Sequence, residues 1–307
     1  MTTNFLPTSH LSNLRNRKIT AGNAITLCLA MVSTSIPLVV KTKTHFDLKP
    51  APRKTRKLQN PTLIIPGITD LGKKVVPLRN HLKDNLIAAH IWGSKRNNGP
   101  TRNGVPKLKN VFNKFYESSG EPVVLIGHSF GGLMSLFLAR LYPEKVKAVI
   151  LLASPCQLGF NDIATNTGFG NLFKFIQAGK KLFDQDVLRN WVGEQDRIPV
   201  LDVPIISFVS CDDKNVNGFS CEAPIGPLNR TIYINTNHSG VKNHPATKAA
   251  LVFLYKNGWY AEFPDEIIKL GIVDRSHLVN HFAKTDPVIQ IAQYPPQLVT
   301  ERVLSIA

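Results

Sequence analysis

The stretch PVVLIGHSFGGLMSLFLARLY, residues 122–142, runs from an apolar strand through a glycine-bounded turn into a helix. PVVLI is apolar at every position and rich in β-branched residues, the pattern of a strand covered on both faces, while LMSLFLARLY is rich in good helix formers. Between them Gly127 and Gly131 lie two residues to either side of Ser129. A serine at so sharp a strand-to-helix turn takes a strained backbone that only small neighbours permit, and its hydroxyl is lifted above the sheet. The turn also aims the helix N-terminus at the same spot, so the N–H of Phe130 is placed to stabilise a developing oxyanion. Ser129 is therefore the candidate nucleophile.

Working outward, short β-rich apolar runs alternate with helical stretches. The strands are expected at residues 62–66, 86–92, 122–128, 146–153, 203–210 and 231–236. The helices are expected near 73–85, 105–118, 129–142 and 245–257. This alternation predicts an α/β fold, a mostly parallel sheet with helices on both faces. Between Pro155 and Pro199 a long interruption carries GFGN (168–171) and the helical FKFIQAGKKLFDQDVLRNW. An insertion after a sheet strand fits a lid over the site, about residues 156–199, whose apolar side chains would contact an acyl chain. A helical pair serving only stability fits as well.

Partners for Ser129 follow from the same order. The loop after the first strand, Pro66-Gly67-Ile68, offers the N–H of Ile68 as a second oxyanion donor, against the plainer alternative of a structural turn. Strand VPIISFVS ends in Cys211-Asp212-Asp213, and Asp213 is preferred over Asp212 as the acid because an apolar residue, Val216, follows it three positions later. The loop after TIYINT holds His238, preferred as the base over His244, which stands before Pro245 at a helix start and reads as a cap. His128 reads as a packing neighbour of the nucleophile. Asp202 reads as a surface turn residue. The chemistry expected is acyl transfer: His238 takes the Ser129 proton, Asp213 fixes the imidazole tautomer, and water cleaves the acyl-enzyme.

The remaining features bound the partners. The chain has 307 residues and a net charge of +16. Residues 1–60 hold ten Lys and Arg against one acid, Asp47, so the larger share of the excess lies there. With no nucleic-acid motif, a nucleic-acid partner is not expected. Ile19 to Val40 is mostly apolar but diluted by Thr, Ser, Asn and Pro. Residues 1–57 are thus expected to be a basic targeting or membrane-anchor segment, either membrane-associated or directing export or organelle entry. If residues 19–40 span a bilayer, the seven basic residues that follow would keep the catalytic part on the cytoplasmic side. The hydrolase-like domain is expected over residues 58–262 and a C-terminal extension over 263–307, a moderately apolar tail without a motif. Cys28, Cys156, Cys211 and Cys221 lack the spacing of a metal site, so no metal or other cofactor is expected. Unpaired thiols are favoured over a Cys211–Cys221 bond.

Residues 60–262 resemble bacterial α/β-hydrolases of the esterase and lipase type, through IIPG (64–67), GHSFGG (127–132) and ILLASP (150–155). They are also similar to a branch carrying a block matched here by Trp92, Gly93, Arg96, Asn97, Gly99, Pro100 and Thr101. That branch has an Asp loop with a Cys-Glu pair, matched by Asp213, Cys221 and Glu222, then His238, Gly240 and Pro245. The resemblance implies an α/β-hydrolase fold with a helical lid insertion and the triad Ser129, Asp213 and His238. It implies a small-molecule or lipid ester as substrate without naming one, and it leaves out both chain ends. Thioester or amide hydrolysis and acyl transfer would use the same triad. A noncatalytic binding protein on this scaffold is the alternative from another class, and the intact triad set weighs against it.

Overall fold

The computed structural model describes residues 59–157 and 201–285, apart from 69, 94, 95, 100 and 102. The N-terminal segment, with the apolar stretch 19–40, lies outside the described residues, as does nearly all of the insertion expected at 156–199. Among the described residues no helix is long and apolar enough to cross a membrane.

Six strands run parallel: β1 (Gln59–Ile65), β2 (Ile87–Ile91), β3 (Val123–His128), β4 (Val146–Leu152), β5 (Ile205–Ser210) and β6 (Asn229–Ile234). A seventh, β7 (Ile272–Val273), pairs antiparallel with β6, and the sheet order is β2-β1-β3-β4-β5-β6-β7. The connecting helices are α1 (Val76–Asp84), α2 (Gly104–Ser119), α3 (Phe130–Leu141) and α4 (Pro245–Asn257). A short α5 (Asp265–Ile268) and α6 (Arg275–Thr285) follow.

Period-two alternation assigns each strand side chain to one of two cores. On β3, Val123 and Leu125 join the core beneath α2, α3 and α6, with Phe112, Met134 and Leu278. Val124 and Ile126 join the opposite core with Leu78 and Leu82 of α1 and Leu251 and Leu254 of α4. Burial on both faces explains why the central strands β3 and β5 read as largely apolar runs. Pro at the first turn helps start α1 and α4, where its missing N–H costs nothing and its φ is already helical. Gly120, with φ 68°, closes α2 in the left-handed conformation.

The register brings the C-terminal strand ends together: Ile65 lies opposite Gly127, His128 opposite Leu152, and Leu152 opposite Phe208. The loops leaving this edge carry the candidate site. The sheet does not end at residue 262, because β7 extends it and α6 seats Leu278, fully buried, in the larger core.

Candidate active site

Ser129 stands between β3 and α3 with φ 52° and ψ −126°, backbone angles that are unusual for a residue with a side chain. Its N–H donates to the Leu152 carbonyl at 2.8 Å, which holds the turn against β4. A Cβ on Gly127 would lie 2.3 Å from Gly132 Cα, and one on Gly131 would lie 2.2 Å from the Ile65 carbonyl oxygen. No side chain fits at either position. The serine itself is 8% exposed. The carbonyl of Gly67 accepts from Asp70 N–H at 3.0 Å, folding the loop after β1 into a tight turn around Ile68. At Gly67 a Cβ would lie 3.4 Å from Ser129 Cβ, so this loop packs directly on the serine.

His238 Nδ1–H donates to Asp213 Oδ2 at 2.7 Å, and both side chains are buried. Asp213 Oδ1 accepts the backbone N–H groups of Asn215 and Val216, each at 2.9 Å. The carboxylate is therefore fixed by three donors and oriented by its own loop. Asp212 projects outward, its side chain half exposed, 3.7 Å from His281. His244 accepts from Ala246 N–H at 3.3 Å and caps α4.

His128 is buried with its ring centroid 5.1 Å from that of His238. Its Nε2–H donates to the His238 carbonyl at 3.0 Å. A carbonyl can only accept, so this bond sets the tautomer. Burial lowers the pKa of His128, an effect that its contact with Asp70 only partly opposes. Around this pair lie residues that the motifs did not point to. Asp70 Oδ2 is 3.5 Å from His128 Nδ1 and 4.0 Å from Lys242 Nζ, and Asp70 Oδ1 is 2.6 Å from Lys74 Nζ. Asn97, 1% exposed, donates from Nδ2 to the Pro66 carbonyl at 2.7 Å, and its own N–H donates to the Asp70 carbonyl at 3.1 Å. The Arg-Asn-x-Gly block thus braces the loop that packs on Ser129.

The acid loop has its own support. Glu222, 2% exposed, accepts from Tyr233 Oη and Arg275 Nε at 2.7 Å each. Leu278 of α6 fills the space that a Cβ on Gly218 would occupy. Cys156, Cys211 and Cys221 are separate buried thiols, and burial pushes Cys156 and Cys211 up to about 12.

A family model described as alpha/beta hydrolase fold matches residues 60–194. The described domain has the α/β-hydrolase fold. Lipase LipV of Mycobacterium tuberculosis is 33% identical to this chain over 92 residues, which are 29% of this chain and 35% of that protein. The aligned region thus spans about a third of that relative. Among solved structures, the monoacylglycerol lipase of Paleococcus ferrophilus is 15% identical over 64% of this chain and 95% of its own, with a TM-score of 0.43. A pyrethroid hydrolase from Sphingobium faniae is 14% identical over 66% and 99%, with a TM-score of 0.47. The epoxide hydrolase of Bacillus megaterium is 13% identical over 66% and 94%, with a TM-score of 0.42. Likeness of that order carries nothing about the chemistry of the α/β-hydrolase domain.

Proposed function

We propose that the protein is a serine hydrolase of carboxylic esters, lipid esters among them, acting through Ser129, His238 and Asp213. The reading is carried by the buried 2.7 Å bond between His238 and Asp213 at the strand edge that also bears the strained Ser129. The name of the lipase that matches part of the chain supports the substrate class.

In this mechanism His238 Nε2 removes the Ser129 proton as Oγ attacks the ester carbonyl. Asp213, already bonded to Nδ1–H, stabilises the imidazolium that forms. The N–H groups of Phe130 and Ile68 receive the oxyanion, and a donor of this kind is worth about 10²–10³ in rate. The imidazolium then protonates the departing alcohol, leaving an acyl-Ser129 that a water activated by His238 hydrolyses. Residues 1–57 complete the reading as a targeting or membrane-anchor segment.

Fluorophosphonate labelling of the full-length protein tests this. The wild type is expected to be labelled and to turn over p-nitrophenyl esters, and Ser129→Ala is expected to lose both while keeping its circular dichroism spectrum. A folded wild type that neither labels nor turns over any ester of a chain-length series would refute the reading.

A further inference from the structure

Three loops meet at one buried carboxylate. Asp70 belongs to the loop that packs on Ser129, His128 precedes Ser129, and Lys242 follows His238 by four residues in the 3-10 turn Val241–Asn243. Asp70 is 7% exposed and Lys242 3%. A lysine so deeply placed needs a counter-charge, and the acid within ion-pair reach of it among the described residues is Asp70. His128 Nδ1 faces the same carboxylate and has no hydrogen-bond partner among the described residues. Lys74 Nζ holds the other carboxylate oxygen, and the Lys74 carbonyl accepts from Asn243 Nδ2 at 3.4 Å, a second tie to the base loop.

We propose that Asp70 is a positioning residue, which through Lys242 and Lys74 fixes the loop bearing His238 against the oxyanion loop. The inference rests on the serine-hydrolase reading. Asp70 touches no reacting atom. Its side chain ties the loop after β1 to the base loop through Lys242, and its backbone closes the Gly67–Asp70 turn around Ile68. Displacement of a catalytic group by about 1 Å can cost about 10² in rate, so a tether of this kind acts on turnover more than on substrate binding.

The test compares wild type, Asp70→Asn, Asp70→Glu and the double variant Asp70→Asn/Lys242→Met. The double variant removes both buried charges together and so keeps the fold if the single variant loses it. On a short soluble ester, Asp70→Asn and the double variant are expected to lose about 10–100-fold in kcat with KM within about twofold. Fluorophosphonate labelling of Ser129 should slow in parallel, and Asp70→Glu should recover part of both. Melting temperatures are measured alongside. A double variant that is folded and labels at the wild-type rate would make Asp70 merely structural and overturn the proposal. Absence of Ser129-dependent labelling in the wild type itself would instead remove the catalytic reading and this inference with it.

Discussion

Gly67 and Ser129 are packed so that a methyl group on the glycine would stand 3.4 Å from Ser129 Cβ and 3.0 Å from His128 Nδ1. The loop after β1 and the turn bearing Ser129 therefore share one contact surface. Gly67→Ala should push His128 or the loop by a few tenths of an ångström, about enough to disturb a site that needs tight alignment. We expect a drop of about tenfold or more in turnover with a nearly unchanged melting temperature. Steady-state kinetics beside a thermal melt measure both, and full activity in the alanine variant would show that the loop is free to retreat.

Asp213 should matter through the tautomer it imposes. In Asp213→Asn the amide can donate to His238 Nδ1 and leave Nε2 carrying the proton, so the base cannot accept from Ser129. The loss expected in kcat is about 10⁴-fold, with the fold intact. Asp212→Asn, at a half-exposed side chain beside His281, should stay within about twofold of wild type, as surface changes usually do. Equal losses in the two variants would contradict the division of roles.

Acid should loosen the site through Asp70. Burial opposes its charge, but its hydrogen-bonding and cationic neighbours, Lys74 and Lys242 among them, outweigh that cost and hold its pKa at about 2. Its pKa is thus depressed below the unfolded value of about 4, so the stability it supplies is complete above about pH 4 and is lost as pH falls towards 2. Denaturant midpoints between pH 6 and pH 2 should fall less steeply in Asp70→Asn than in wild type. Parallel curves would mean that the pair does not link protonation to folding.

Leu278→Ala should be costly although it lies far along the chain from Ser129. The side chain is fully buried against Gly218 in the loop that follows Asp213, and truncating such a leucine costs about 2–5 kcal/mol. A lower melting temperature together with a lower kcat is expected. Denaturant unfolding and kinetics on the same preparation decide it.

The central strands and the helices beside them were legible because β3 and β5 are buried along their whole length and α1 to α4 have glycine or proline at or near an end. The strand predicted at 122–128 and the helix predicted at 245–257 fall within a residue of β3 and α4. Chain order and strand ends pointed to Ser129, Asp213 and His238 as candidates, and the last two meet at 2.7 Å. Asp70, Lys242 and Arg275 were not legible. Each is one charged residue in an ordinary polar stretch, and its meaning depends on a partner at least 50 residues away in the chain, whose approach only the tertiary fold creates. Asn97 was flagged within its block, but nothing local said that it would brace Pro66.

The seat of Leu278 also bears on synthesis. A ribosome releases the chain from its N-terminus, and domains settle as their parts emerge. Strands β1 to β6 can assemble while Arg275 and Leu278 are still unmade, but the loop behind Asp213 would then lack its apolar floor and Glu222 its guanidinium. A nascent chain would carry the six parallel strands and a loop after Asp213 without these two supports, so that loop should settle late in translation, with the helix made last among the described elements.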